Sequence, residues 1–283
     1  MQPDERTCAA SDGTDLPLWV WRPERLRAAL VYLHGIQSHS GWYEASSRRL
    51  AEAGVAVYQV DRRGSGRDTA HERGHVDKAE VWFEDVAAAA ELARRETGLG
   101  AVHLMGVSWG GKLALACAAH RPDLYRGLIL SAPGIFPRVD VTLLAKVRVG
   151  KCLAAGDERR RFPIPLDDPH LFTENPERVR YIAEDPLSLR DLTARFMAES
   201  RRLDAMARQA AASVHVPTLL ALAGQDRIIH NEVTRALVYS MAARRRVVEY
   251  PGAHHTLEFE PDPEAYFRDL AAWIEQVERE PSC

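Results

Sequence analysis

The sequence is poor in cysteine and has no long apolar run, and each shortage excludes a class of protein. Only four of the 283 residues are cysteine, and no two of them stand in a C-x-x-C spacing. A disulfide scaffold is therefore not indicated, and we expect free thiols at Cys8, Cys117, Cys152 and Cys283. No stretch approaches the ~18 apolar residues of a membrane-spanning helix, and the first residues lack the apolar region of a secretion signal. We expect a cytoplasmic protein without stable membrane insertion.

Lysine is also scarce, because only four of the 37 basic residues are lysine and the rest are arginine. The acidic residues are interspersed with the basic ones and the formal net charge is −3, so no basic face suited to nucleic acid is indicated. With 46% hydrophobic and 27% charged residues, the composition is that of a folded globular protein. These features leave the oligomeric state open.

Short apolar runs alternate with helical stretches along most of the chain. Several of these runs are apolar without alternation, which is typical of strands covered on both faces in a parallel sheet. The intervening stretches carry glycine or proline at their ends, as helices do. The pattern predicts a mostly parallel, doubly wound α/β sheet. The predicted strands are 16–21, 29–35, 55–61, 101–108, 127–133, 218–226 and 246–252, and the predicted helices are 46–54, 81–98 and 110–122.

The alternation of strands and helices stops between about Arg138 and Ser213. This region contains five prolines together with helical pieces such as LTARFMAESRRLDAMARQAA. Prolines and short helices between two strands indicate an insertion. We therefore predict an α/β core formed by residues 1–137 and 214–283, and an inserted helical cap formed by residues 138–213.

A G-x-S-x-G pattern lies within the segment HLMGVSWGGKLALA, at residues Gly106 to Gly110. It stands directly after a predicted strand and directly before a predicted helix. A sharp turn in that place holds a serine at the edge of the sheet, and the glycines let the backbone pass closely. The pattern predicts that Ser108 is a nucleophile.

A nucleophilic serine needs a histidine base and an acid that orients the histidine, in the chain order Ser, Asp, His. Asp226 ends the predicted strand TLLALAGQD, and the carboxyl end of such a strand faces the site of an α/β sheet. The next strand leads into His254 and His255, which offer the base. A turn or helix-capping role is the alternative for Asp226, but the complete order favours a catalytic triad.

The turn from Gly252 to His255 has the G-x-x-H spacing that carries the catalytic histidine in one group of α/β-hydrolases. The chain resembles this group, the monoacylglycerol lipases and lysophospholipases of serine aminopeptidase S33 type, from Leu30 onward. The resemblance rests on His34-Gly35, on His39 and Tyr43 in the following loop, on the turn Asp61-Arg62-Arg63-Gly64-Ser65-Gly66, on the elbow Gly106 to Gly111 and on Asp226-Arg227. It implies an α/β-hydrolase fold with an inserted cap, and His255 rather than His254 as the base.

The same resemblance implies an oxyanion hole, which is the pair of N–H donors that holds the negative oxygen formed during attack. Its donors would be the backbone amides of Ile36, after His34-Gly35, and of Trp109, after the nucleophile. Preorganised donors of this kind contribute about two to three orders of magnitude in rate for each donor.

Three positions depart from the pattern of the lipases. Ser38 and Trp42 stand where those enzymes carry a glutamate and an arginine, and Glu258 replaces a second histidine of some members. The resemblance places these positions near a glycerol leaving group. We therefore expect weak selection for glycerol, with aryl and alkyl esters matching monoacylglycerols of the same acyl chain.

Two other motifs compete with the triad. The segment from His71 through Glu72 to His75 matches the H-E-x-x-H zinc motif, but Gly74 and the preceding turn residues favour a loop. The segment from Gly106 to Lys112 nearly matches a phosphate-binding loop, but Leu113 stands where a hydroxyl would hold Mg²⁺. We therefore expect Lys112 on the surface of a helix.

The sequence thus predicts a serine hydrolase that cleaves carboxylic esters through an acyl-enzyme, without a metal or an organic cofactor. Its partner would be a small, lipid-like ester. Hydrolysis of an amide, lactone or carbon–carbon bond by the same triad is the alternative, because fold and triad do not fix the substrate. A zinc hydrolase, an NTPase and a silent binding module are more distant. Candidates for an acyl pocket in the cap are Leu143, Leu144, Phe162, Leu171, Phe172, Phe196 and Met197.

Overall fold

One eight-stranded sheet runs through the part of the chain that the computed structural model describes, residues 1–10 and 12–280. The strands are β1 (Asp4–Ala9), β2 (Asp15–Trp21), β3 (Ala28–Leu33), β4 (Val55–Val60), β5 (Val102–Val107), β6 (Tyr125–Ser131), β7 (Arg161–Pro163), β8 (Asp191–Thr193), β9 (Thr218–Ala223) and β10 (Arg245–Tyr250). The order in the sheet is β1-β2-β4-β3-β5-β6-β9-β10, whereas β7 and β8 pair only with each other.

The sheet is parallel from β4 to β10, and β1 and β2 extend it as antiparallel strands. Every residue of β3, β4, β5 and β9 is buried, because helices cover both faces. The predicted mostly parallel α/β sheet is therefore confirmed. Strand β1 was not predicted, since its sequence DERTCA is polar and five of its six residues are exposed at the sheet edge.

Eight helices accompany the sheet in the described residues. They are α1 (Glu44–Glu52), α2 (Glu80–Thr97), α3 (Trp109–His120), α4 (Leu143–Ala154), α5 (Pro176–Glu184), α6 (Ala194–Ala210), α7 (Asn231–Ser240) and α8 (Glu264–Glu278). The three helices predicted from the sequence correspond to α1, α2 and α3. None of the helices in residues 1–10 and 12–280 has the length and apolar content needed to cross a bilayer.

The segment between β6 and β9 contains α4, α5 and α6 together with the short hairpin of β7 and β8. Helix α6 packs on α3 and α2 through aromatic rings, with the Phe196 centroid 5.8 Å from that of Trp109 in α3 and 5.0 Å from that of Trp82 in α2. This inserted segment therefore lies over the helix that follows the G-x-S-x-G turn.

The thiols at Cys8, Cys117 and Cys152 are free, as predicted. Burial raises the pKa of Cys8 to about 11 and the pKa of Cys117 well above its usual value, so neither is a nucleophile at neutral pH. The prediction for Cys283 falls outside the described residues.

Candidate active site

Ser108 occupies a strained turn between the end of β5 and the start of α3. Its φ of 52° and ψ of −120° are unfavourable for a residue with a side chain. A Cβ atom at Gly106 would overlap the backbone of Gly110, and one at Gly110 would lie 2.5 Å from the carbonyl oxygen of Leu33. The two glycines of the motif therefore allow the close packing that fixes the serine in this turn.

Ser108, His255 and Asp226 form a hydrogen-bonded line. The Ser108 Oγ lies 2.8 Å from His255 Nε2, and His255 Nδ1 lies 2.7 Å from Asp226 Oδ2. All three residues are buried, with exposures of 9%, 1% and 5%. Since the ionised Asp226 only accepts, it selects the imidazole tautomer with the proton on Nδ1, and Nε2 is then free to accept the serine proton.

The sheet brings these side chains together. Asp226 follows β9 and His255 follows β10, so both stand at the carboxyl edge of parallel strands, beside the end of β5. The other carboxylate oxygen of Asp226 accepts hydrogen bonds from the amides of Ile228 and Ile229 at 2.8 and 3.1 Å, which fixes its orientation. His254 instead contacts Glu260, so His255 alone of the two histidines faces Ser108.

The backbone at Ile36 and Trp109 approaches the same serine. A Cβ atom added to Gly35 would lie 3.5 Å from the Ser108 Cβ, so the peptide that joins Gly35 to Ile36 passes beside Ser108. Among the backbone hydrogen bonds of the described residues, neither the Ile36 nor the Trp109 amide has an acceptor. Both residues line the cavity onto which Ser108 opens.

With this geometry in place, comparison with known proteins identifies the family. Residues 24–262 match the family described as serine aminopeptidase, S33. The chain belongs to this family. It is 28% identical over 275 residues to a monoacylglycerol lipase of Mycolicibacterium smegmatis, a match that covers 95% of this chain and 96% of that protein. It is 27% identical over 271 residues to the monoglyceride lipase of Homo sapiens, covering 94% and 88% of the two chains.

Solved structures show the same fold. The crystal structure of Paleococcus ferrophilus monoacylglycerol lipase is 24% identical, covers 93% of this chain and all of that one, and superposes with a TM-score of 0.83. A soluble variant of monoglyceride lipase from Saccharomyces cerevisiae is 19% identical over 98% of this chain and 96% of that one, with a TM-score of 0.86. The predicted family, α/β-hydrolase fold and enzyme class, a carboxylic ester hydrolase, are confirmed.

In this S33-family hydrolase, Ser108 opens onto a cavity of about 400 Å³. That volume lies within the range of ~300–1,000 Å³ typical of small-molecule sites. The cavity lies between the core and the inserted segment, and most of its wall is apolar. Its apolar lining includes Ile36, Trp109, Val139, Val149, Leu153, Ile164, Leu166, Leu192, Met197 and Ile229.

Most of the residues predicted to form an acyl pocket lie elsewhere. Met197 alone of the seven, all of which are described, lines the cavity. Leu143 and Leu144 are 78% and 69% exposed at the start of α4, because the opposite face of that helix is the one turned inward. The remaining four pack against other side chains in the interior: Phe162, Leu171, Phe172 and Phe196. Apolar character alone did not reveal which face of each helix meets the cavity.

Lys112 is buried, so its predicted place on a helix surface is wrong. Its exposure is 5%, and its Nζ donates to the carbonyl oxygen and the Oγ of Ser200, at 3.2 and 3.0 Å, and to the carboxylate of Asp204. Burial lowers the pKa of Lys112, and the neighbouring Asp204 opposes that shift. Ser200 also accepts a hydrogen bond of 2.8 Å from Trp109 Nε1. The partners lie on α6, about 90 residues away, where local sequence patterns do not reach.

Ser38, Trp42 and Glu258 are not among the residues that line the cavity. Ser38 hydrogen-bonds within its own loop, Trp42 donates to Asp185 at 2.7 Å, and Glu258 accepts from the Ser46 amide at 2.9 Å. All three are at least 96% buried. Each of the three therefore has a partner inside the protein, and weak selection for glycerol stays a prediction.

Asp185 joins the inserted segment to the loop after β3, and no sequence pattern marked it. Its Oδ2 accepts from His39 Nε2 at 3.1 Å, from Trp42 Nε1 at 2.7 Å and from Ser188 Oγ at 2.9 Å, and Oδ1 accepts from the Leu187 amide. Burial opposes ionisation of this carboxyl, but the hydrogen bonds from His39 and Trp42 outweigh burial and lower its pKa.

The segment from His71 through Glu72 to His75 forms a turn, as the sequence predicted. Gly74 has a φ of 63°, and a Cβ atom there would lie 2.6 Å from the carbonyl oxygen of Asp191. His71 contacts Asp68 and Arg63, whereas His75 contacts Thr193 and Asp77. The single helix that would turn both histidines of an H-E-x-x-H motif to one side is therefore not formed by these described residues.

Proposed function

We propose that this protein is a serine esterase that cleaves lipid-like carboxylic esters, with Ser108 as nucleophile, His255 as base and Asp226 as the orienting acid. The observation that carries the proposal is the hydrogen-bonded line from Ser108 through His255 to Asp226. A buried serine in a strained turn, aligned with a histidine of fixed tautomer, is arranged for nucleophilic attack.

In the proposed acylation step, Ser108 Oγ attacks the ester carbonyl carbon while its proton moves to His255 Nε2. Asp226 stabilises the resulting imidazolium through the hydrogen bond to Nδ1. The imidazolium then protonates the leaving alcohol, and the acyl group remains on the serine. In the second step, water gives a proton to His255 and its oxygen attacks the acyl carbon. The bond between Ser108 Oγ and the acyl carbon then breaks, His255 returns the proton to Oγ, and the acid leaves. In both steps the proton passes through His255 Nε2.

We propose that the amides of Ile36 and Trp109 form the oxyanion hole. Ile36 follows β3 and Trp109 is the first residue of α3. The negatively charged oxygen formed during attack would therefore lie between two rigid elements, at the positive end of a helix dipole. The proximity of the Gly35–Ile36 peptide to Ser108 and the absence of other backbone acceptors for these two amides in the described chain support this role.

The apolar cavity supports an acyl chain as the part of the substrate that is buried. Relatives named monoacylglycerol lipase and phospholipase support an ester of a lipid as the substrate class. We further propose that residues 138–213 act as a cap over a core formed by residues 1–137 and 214–283, since this segment supplies part of the cavity wall. Location in the cytoplasm stays a prediction of the sequence.

A fluorophosphonate tests the nucleophile, because only an activated serine reacts with it at a useful rate. We expect labelling of Ser108 in the wild-type protein, and we expect Ser108→Ala to lose labelling and more than ~1,000-fold in kcat for p-nitrophenyl octanoate. Ser240→Ala, at an exposed serine at the end of α7, should keep both. Labelling of another serine, or full activity of Ser108→Ala, would overturn the proposal.

The two adjacent histidines provide a matched pair of variants for the base. We expect His255→Ala to lose about as much activity as Ser108→Ala. The two residues act as one catalytic unit, and removal of either member abolishes the contribution of the whole unit. His254→Ala should keep wild-type kcat, since His254 contacts Glu260 and not the serine. The steady-state kcat of both variants, with thermal unfolding as a check of the fold, decides between them.

A further inference from the structure

Arg62 is a buried cation without an adjacent counter-charge. The residue is 7% exposed, and no carboxylate of the described chain lies within the 4.0 Å of an ion pair from its guanidinium. Asp61 stabilises the charge from farther away. The next residue, Arg63, is equally buried but ion-pairs with Asp85 and Asp12. Burial of an unpaired charge costs free energy, so the interactions that Arg62 makes instead are informative.

The guanidinium of Arg62 contacts both segments that carry the proposed oxyanion donors. Its Nη1 donates to the carbonyl oxygen of Gly35 at 3.1 Å, and its Nη2 donates to the carbonyl oxygen of Ile36 at 2.9 Å. Nη2 also donates to Ser65 Oγ at 2.7 Å. The guanidinium carbon lies 4.4 Å from the ring centroid of Trp109. Burial lowers the pKa of Arg62 to about 9, which leaves the group charged at neutral pH.

We infer that Arg62 is a positioning residue of the oxyanion hole, which polarises and orients the Ile36 amide. This inference rests on the proposed function. The carbonyl of Gly35 and the N–H of Ile36 are the two ends of one peptide group. A hydrogen bond to that carbonyl draws electron density from the peptide nitrogen and makes its N–H a stronger donor. The second bond, to the Ile36 carbonyl, restrains the next peptide group, so the donor keeps its direction.

The charge of Arg62 acts mainly on the transition state. Negative charge develops on the substrate oxygen only during attack by Ser108, and a cation behind the donor stabilises that charge in a water-poor site. The neutral ester in the ground state gains much less from it. An interaction made only in the transition state raises kcat with little effect on KM. Arg62 does not line the cavity of Ser108, so it acts through the backbone.

Three variants separate the charge of Arg62 from its hydrogen bonds. Arg62→Met removes both, Arg62→Gln keeps an amide donor without charge, and Arg62→Lys keeps the charge with fewer placed donors. With p-nitrophenyl octanoate we expect kcat to fall by about 10- to 100-fold for Arg62→Met, less for Arg62→Gln and least for Arg62→Lys, with KM changed less than about threefold. Full removal of an oxyanion donor costs ~100- to 1,000-fold, so weakening one should cost less.

The inhibition constant of a trifluoromethyl ketone distinguishes this role from a purely structural one. The serine adds to this ketone and forms a lasting oxyanion, whereas the methyl ketone of the same chain binds as a neutral molecule. For Arg62→Met we expect the inhibition constant of the trifluoromethyl ketone to rise by the same factor as kcat falls, and that of the methyl ketone to stay unchanged. Arg73→Met is the matched control, since the Arg73 guanidinium also donates to backbone carbonyl oxygens, those of Gly66 and Leu187, but does not contact Gly35 or Ile36. It should behave as the wild type.

The inference is overturned if folded Arg62→Met keeps wild-type kcat and wild-type affinity for the trifluoromethyl ketone, or loses affinity for both ketones equally. If Arg62→Met does not fold, the other two variants decide, and wild-type affinity for the trifluoromethyl ketone in both overturns it. Failure of the underlying proposal has a different signature, because Ser108→Ala would then retain hydrolysis or labelling.

Discussion

Glu258 is a carboxyl group enclosed by the protein, and its side-chain partner is Ser46. Its oxygens accept from the Ser46 amide and hydroxyl, and the residue is 4% exposed. Burial raises the pKa of Glu258 to about 7, and the hydrogen bonds from Ser46 oppose the shift only in part. The charged form is therefore unfavourable in the folded protein, and a proton is bound on folding at mildly acidic pH.

We expect Glu258 to make the protein less stable as the pH rises. Because its pKa is raised from 4.5 to about 7 on folding, its contribution to stability is complete below pH 4.5 and is lost as the pH rises through 7. The loss amounts to about 3 kcal/mol at ~1.4 kcal/mol per pKa unit. Glu258→Gln removes the titration, so urea unfolding at pH 5 and pH 8 should show the variant gaining about that much relative to the wild type. Parallel pH profiles of the two proteins would contradict this assignment.

The residues brought together around Ser108 were predictable because each lies in or next to a recognisable local sequence pattern. Ser108 stands in a G-x-S-x-G turn, and Asp226 and His255 follow strands whose apolar runs are visible in the sequence. Lys112 and Asp185 carry no such mark. Both are buried against partners about 90 and 145 residues away, and only the fold reveals those partners.

At the scale of elements, α3 and α6 are joined by a buried ion pair between Lys112 and Asp204. The two side chains are 6% and 7% exposed. The Lys112 ammonium has three protons, and Asp204 and the two oxygens of Ser200 use all of them. This junction fixes the inserted segment on the helix that begins directly after Ser108.

We expect Lys112→Met to destabilise the protein by about 3 kcal/mol, because it leaves the Asp204 carboxylate buried without its closest partner. Arg201, 3.6 Å from Asp204, compensates only in part because it is 60% exposed. The double variant Lys112→Met/Asp204→Leu should recover most of the loss, since an apolar pair of similar volume can replace a buried ion pair. Chemical denaturation of the two single variants and the double variant measures the coupling. Strictly additive losses would argue against the pair.

Helices and strands were predicted where burial in the core leaves an apolar pattern in the sequence, and were missed where it does not. Strands β3 to β6 and β9 are apolar because helices cover them, which the sequence displays directly, and the shorter apolar stretches of β2 and β10 were also sufficient. Strand β1 and the hairpin of β7 and β8 are short and largely polar, and neighbouring strands hold them by backbone hydrogen bonds. Such pairing leaves no periodic signal.

At the scale of the whole molecule, we expect the cavity between core and inserted segment to determine which esters are accepted. Its wall is mostly apolar, so each methylene of an acyl chain that enters it gains up to ~0.8 kcal/mol, about fourfold in kcat/KM. We expect kcat/KM for p-nitrophenyl esters to rise from acetate to octanoate. A profile that falls with chain length would show that the acyl group does not occupy this cavity.

A substitution at Gly150 tests whether the acyl chain occupies this cavity by changing the protein instead of the substrate. It lies on the cavity wall in α4, and a Cβ atom there would meet no atom within 4 Å. Gly150→Phe should fill part of the cavity and lower kcat/KM for octanoate by about tenfold or more, while acetate changes little. Lys151→Phe, at an exposed position of the same helix outside the cavity lining, is the control and should leave the chain-length profile unchanged.

The inserted segment also separates Ser108 along the chain from the two residues that we propose activate it. Ser108 precedes the segment, and Asp226 and His255 follow it, so that the histidine comes 147 positions after the serine. At ~5–20 residues per second of translation, the ribosome needs on the order of ten seconds to add the histidine after the serine. A nascent chain therefore carries an unactivated hydroxyl throughout that interval. On the proposed mechanism, Ser108 gains its base and its orienting acid only when β9 and β10 join the sheet, so a chain that lacks these strands would be unable to hydrolyse esters.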